Sequence, residues 1–110
     1  MNIETFREYC LTKVNVAESF PFGDDTLVFK VGNKIFALVS LTAIPMQFNV
    51  KCAPEEAISL REEFPDAILP GYHMNKKHWN TVIPGTLKNN LVKKMIDDSY
   101  SLVSKKKMIS

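Results

Sequence analysis

Leu69-Pro-Gly-Tyr-His-Met-Asn-Lys-Lys-His-Trp-Asn-Thr-Val82 is the stretch whose reading decides the fold. It holds the sole Trp of the chain, both His residues, a Pro-Gly pair and a Lys-Lys pair. Apolar or aromatic flanks on either side of Met74-Asn75-Lys76-Lys77 predict two short strands over residues 68–83, meeting at a polar tip. Asn75 tolerates left-handed backbone angles, and Lys76 and Lys77 keep such a tip solvated. The tip supports two readings. In one, Tyr72 and Trp79 pack across the strand pair and the turn is ordinary surface. In the other, the hairpin is a basic wing whose Lys and His side chains touch a polyanion, with Trp79 or Tyr72 bracing or stacking.

Working outward, Pro54-Glu55-Glu56 reads as a helix opening, with Pro early and acids in the first turn. Ala57, Leu60 and Phe64 share one face, and Pro65 stops that helix. After the hairpin, Pro84-Gly85 leads to Thr86, a candidate cap for a helix over about residues 87–105. Leu87, Leu91, Met95 and Leu102, widened by Val92, Ile96 and Val103, mark its buried side. Lys88, Lys93, Lys94, Asp97 and Asp98 mark the wet side. Residues 105–110 read as a frayed tail.

Toward the N-terminus, Leu27-Val-Phe-Lys-Val31 and Lys34-Ile-Phe-Ala-Leu-Val39 are separated by Gly32-Asn33. A two-residue loop in which both residues accept positive φ is a strong hairpin signal. Residues 16–22 and 46–52 read as further strands. Asn2 caps a first helix whose apolar face is Ile3, Phe6, Cys10 and Val14. The predicted order is α-β-β-β-β-α-β-β-α. The economical α+β solution is one antiparallel sheet with helices packed on one face, in a single domain over residues 1–104.

A chain of 110 residues with 45% hydrophobic content buries a core without needing a staple. The acidic, amphipathic N-terminus is wrong for a secretory signal, and no apolar run approaches a membrane span, so cytoplasm is expected. Cys10 and Cys52, without short spacing or a neighbouring His, read as small buried residues. Charge is uneven: residues 1–66 sum to −4 and residues 67–110 to +6. That split points to an anionic partner.

Motifs for nucleotide phosphates, serine hydrolysis and zinc hydrolysis are missing, so no catalytic residue and no cofactor is assigned. His73 and His78 alone do not make a metal site. Asp24-Asp25 falls in a turn, and Glu55-Glu56 and Glu62-Glu63 belong to a helix start and a solvated helix face. Glu18, one charge within an apolar strand, is less ordinary. Lys30 and Lys34 bracket one hairpin tip, Lys76 and Lys77 form another, and Lys51 ends a strand. Two basic tips are suited to a phosphate backbone, positioning DNA without reading bases. Equally, lysines at tips discourage edge aggregation.

Pro21-Phe22-Gly23, Val28-Phe29-Lys30-Val31, Lys34-Ile35-Phe36-Ala37, Lys51-Cys52-Ala53-Pro54 and above all Pro70-Gly71-Tyr72-His73-Met74-Asn75-Lys76-Lys77-His78-Trp79-Asn80-Thr81-Val82 resemble the MmcQ/YjbR family. The late Ser99-Tyr100-Ser101-Leu102-Val103 run is similar to that family's final helix. The resemblance implies a CyaY-like (frataxin-like) fold and a DNA-binding role through a double wing of hairpins. It would place contacts on Lys30, Lys34, Lys51, Lys76, Lys77, His73, His78 and Trp79. Frataxins hold iron through acidic residues of the first helix. Here that helix offers Glu4 and Glu8 interleaved with Arg7 and Lys13, which disfavours iron.

The leading expectation is a non-enzymatic domain that binds double-stranded DNA weakly and with little sequence reading. The alternative is a protein- or small-ligand-binding module with a pocket near Glu18, Tyr72, His73 and Trp79. A third option, an enzyme using His73 or His78 as a base, has no partner residue in the sequence.

Overall fold

The computed structural model describes residues 1–71 and 74–104. Its elements are α1 (Ile3–Leu11), β1 (Val16–Ser19), β2 (Thr26–Val31), β3 (Lys34–Ser40), β4 (Phe48–Lys51), α2 (Pro54–Glu63), β5 (Ile68–Pro70), β6 (Trp79–Val82) and α3 (Asn89–Ser104). This is the expected α+β order. The strands form one antiparallel sheet in the order β1-β2-β3-β4-β6-β5. Gly32 and Asn33 take φ of 57° and 69°, the two positive angles a tight hairpin of this twist requires.

All three helices pack on one sheet face. Phe6 of α1 sets its ring 5.8 Å from that of Phe29 and 4.6 Å from that of Phe48. Val92, Met95, Ile96 and Val103 of α3 join the same buried cluster, and Leu60 and Phe64 of α2 pack against it. Val28 and Leu38 are also buried but lie outside that cluster, as strand alternation requires of residues facing the other way. Among the described residues, no helix is long and apolar enough to cross a membrane.

The capping predictions at the first two helices hold. Asn2 Oδ1 accepts the Thr5 N–H at 2.8 Å, and Pro54 sits in the first turn of α2. Val14 does not extend the buried face of α1, because the helix stops at Leu11 and Asn15 turns the chain at φ 65°, leaving Val14 70% exposed. β1 ends at Ser19 instead of reaching residue 22. Pro21 lacks an N–H for the ladder, and Phe20 and Phe22 are exposed.

The start of the last helix also differs. Pro84–Thr86 winds into a 3-10 turn and Leu87 returns to extended angles, so Thr86 cannot cap α3. Instead the Lys88 carbonyl accepts the N–H groups of Leu91 and Val92, each at 3.1 Å. The buried seam is Val92, Met95, Ile96, Ser99 and Val103, while Leu102 faces outward at 36% exposure.

Ser99 is the seam's polar member, and its place follows from a bulge. Phe29 pairs with Ala37 and Lys30 with Ile35, so Phe36 is an extra residue on β3. The bulge frees the Phe36 carbonyl, to which Ser99 Oγ donates at 2.5 Å. Ser99 Oγ in turn accepts the Lys51 N–H at 2.8 Å, where the β3–β4 ladder has ended.

Candidate nucleic-acid interface

Antiparallel register decides which side chains share a neighbourhood. The close of β2, the start of β3, the close of β4, the start of β6 and the close of β5 all lie at one end of the sheet. Both hairpin tips therefore project from the same end, with Lys51 between them. At 4.7–4.9 Å per strand, the centres of the two hairpins lie about 14 Å apart. Lys51 pairs directly with Trp79, and Lys30 with Ile35. These four alternate with core residues such as Phe29 and Val50, so they occupy the face away from the helices, and each is half-buried. Lys34, Lys76 and Lys77 are exposed at the tips.

The second tip is fastened by local geometry. Asn75 Oδ1 accepts the Lys77 N–H at 3.0 Å, and the Asn75 carbonyl accepts those of His78 and Trp79 at 3.1 and 3.0 Å. This is the Asx-type turn chemistry expected of asparagine. Cys52 N–H donates to the His78 carbonyl at 2.7 Å, and Gly71 N–H to the Trp79 carbonyl at 2.8 Å, tying the tip's base to its neighbours. A Cβ on Gly71 would lie 2.7 Å from Trp79 Cβ and 2.9 Å from Trp79 O. Gly71→Ala is therefore expected to destabilise the fold by about 1–3 kcal/mol through overpacking. A denaturant midpoint no lower than that of the parent chain would show that the two strands can part cheaply.

Arg61, in the last turn of α2, braces this tip from the helical side. Its Nε donates to Asn80 Oδ1 at 2.7 Å, and one terminal nitrogen donates to the carbonyls of Lys76 and of Trp79, the latter at 3.2 Å. Asn80 is 1% exposed, and its Nδ2 has no partner among the described residues. Sequence reading misses Arg61, which stands next to Glu62 and Glu63, the pair assigned to the solvated face of that helix. The available signal was a lone cation in a helix's final turn, which suits carbonyl bonding.

Glu18 does not join this end of the sheet. It binds Arg7 across the α1–β1 contact, with Nε and a terminal nitrogen donating at 2.7 and 2.6 Å. That hydrogen-bonded guanidinium holds its carboxyl below the usual range. β1 lies four strand spacings from β6, about 19 Å, and Glu18 and Trp79 face opposite sides. The expected pocket uniting Glu18 with Trp79 is therefore not assembled, and Tyr72 and His73 lie outside the described residues. His78 is half-buried at the tip. Burial pushes the thiols of Cys10 and Cys52 up to about 12 and about 11, so both stay protonated and inert at neutral pH. Among the described residues no three His, Cys, Asp or Glu side chains cluster as metal ligands would.

A family model described as YjbR matches residues 11–102. The chain is 41% identical over 102 residues to the uncharacterized protein YbdF of Escherichia coli, covering 91% of this chain and 82% of that protein. It is 31% identical over 101 residues to the uncharacterized protein YjbR of the same species, covering 91% and 85%. The crystal structure of Deinococcus radiodurans protein DR2400, described by the domain DUF419, superposes with a TM-score of 0.91 at 40% identity. That match covers 96% of this chain and 80% of the other. A crystal structure of a Pseudomonas syringae protein gives a TM-score of 0.79 at 30% identity, covering 94% and 99%.

Proposed function

This chain belongs to the YjbR family, and from that premise we propose that it is a non-catalytic DNA-binding domain that grips phosphates with two basic hairpin wings. What supports this reading is one topological fact. Because β6 inserts between β4 and β5, the Lys30/Lys34 hairpin and the Lys76/Lys77 hairpin point the same way, with Lys51 between them. Lysines on flexible stems supply point charges without the planar fork that reads a base edge. Affinity should then depend on salt far more than on sequence.

Replacing Lys76 and Lys77 together by Glu is expected to weaken duplex binding to a similar extent on unrelated sequences. The slope of log affinity against log salt should flatten by about two, since each neutralised phosphate contributes about 0.9. Fluorescence anisotropy between about 50 and 200 mM salt reads both quantities over a range where several phosphate contacts register strongly. Binding unchanged by this double charge reversal would remove the wings from the account.

A further inference from the structure

The open face of the sheet, away from the helices, carries a row of a different character from the tips. From β2 to β6 it runs Lys30, Ile35, Lys51, Trp79, and all four are half-buried with part of each side chain accessible. In the next row inward Val28 is 0% exposed, Leu38 5% and Thr81 4%, with Asn49 of β4 half-buried among them. The outermost row at the wing end is thus a strip about 14 Å long. It presents two cations, one apolar side chain and one indole, and none of the four is a carboxylate.

We propose that this strip takes a single unpaired DNA strand, with a base stacked on Trp79 and neighbouring phosphates on Lys51 and Lys30. This rests on the DNA-binding reading above and names the form of DNA involved. Charge complementarity argues for a polyanion, and Trp79 narrows the choice. A duplex hides its base faces within the stack except at its ends, whereas an unpaired strand offers a π-face at every base. Cations beside an aromatic on a sheet face match the stacking platforms of single-strand binders.

Because Trp79 is the sole tryptophan, its emission reports on this strip alone. An oligothymidylate and a blunt duplex of equal length should be compared at about 50 mM salt, following both anisotropy and tryptophan emission. The single strand is expected to bind more tightly and to quench the emission. Trp79→Leu should lose roughly fivefold or more in single-strand affinity, and Trp79→Phe should retain most of it, by the usual worth of one stacked base. Thermal unfolding of both variants confirms that they remain folded.

Duplex binding equal to or tighter than single-strand binding, with emission unchanged, would overturn this assignment and leave the DNA-binding reading standing. Single-strand binding that leaves the emission unaltered would also overturn it. No binding of either DNA would overturn both.

Discussion

Replacing Arg61 by alanine is expected to destabilise the fold by about 3 kcal/mol and to release the second wing. The side chain makes three contacts with groups distant in sequence: Asn80 Oδ1 and the carbonyls of Lys76 and Trp79. Hydrogen bonds from a charged donor contribute roughly 1.5–3 kcal/mol, and a buried acceptor left alone costs about 1–3 kcal/mol more. Asn80, at 1% exposure, would lose its only side-chain hydrogen bond recorded among the described residues and become a buried amide with neither end paired. For a domain of this size the melting temperature should fall by on the order of 10 °C.

Arg61→Lys should recover little of this, because an ammonium cannot reproduce a fork that reaches three acceptors in two directions. The distinguishing readout is local. Hydrogen exchange at the His78 and Trp79 amides, both bonded to the Asn75 carbonyl, should accelerate before exchange at β2 and β3. If all amides accelerate together, Arg61 supports the fold globally and does not hold the wing. DNA affinity should weaken even though Arg61 faces the helical side, because Lys76 and Lys77 would then pay an ordering cost on binding.

The parts of this fold that could be read from the sequence are those whose cause is local. Gly32-Asn33, Asn2 and Pro54 each act within a few residues of themselves, so the hairpin and two helix starts follow from residue type alone. The last helix was misplaced at its start for a local reason too. Pro84-Gly85-Thr86 satisfies both a cap pattern and a 3-10 turn, and the turn forms. What could not be read acts at a distance. Arg61 reaches Asn80 across 19 positions, and Ser99 reaches Phe36 across 63. Neither residue type is periodic or rare enough to signal such a partner.

The candidate site shows the same division. Its lysines were visible as charges at tips, but their convergence depends on β6 lying between β4 and β5. A simple meander would have set β5 antiparallel beside β4 and turned the second hairpin toward the opposite end of the sheet. Glu18 stood out because a charge within an apolar strand invites a functional reading, yet a bidentate Arg7 on α1 accounts for it. The outer-face row is likewise a product of register, since Lys30 and Lys51 are 21 positions apart and Trp79 lies 28 further on.

Ser99→Ala is the second substitution expected to have a large effect, about 2–4 kcal/mol, although it removes a single oxygen atom. That oxygen donates to the Phe36 carbonyl and accepts the Lys51 N–H in a place with 0% exposure. Alanine fills nearly the same volume, so the cost is not a cavity. It is two backbone groups left unpaired, the Phe36 carbonyl in a buried place and the Lys51 N–H in a part-buried one, each worth roughly 1–3 kcal/mol. The bulge at Phe36 is what makes this unavoidable, since a regular β2–β3–β4 ladder would have paired both groups with backbone.

Ser99→Cys offers the control. A thiol keeps a weak donor and acceptor at nearly the same position, so the loss should lie between those of serine and alanine. An alanine variant as stable as the parent would mean that the bulge relaxes and Phe36 and Lys51 find backbone partners. Ser99→Ala should also reach the candidate site, because the amide that Ser99 holds belongs to Lys51, the cation standing between the two wings. Its DNA affinity should fall with no charge removed and the salt slope intact, the signature of a phosphate contact displaced and not deleted.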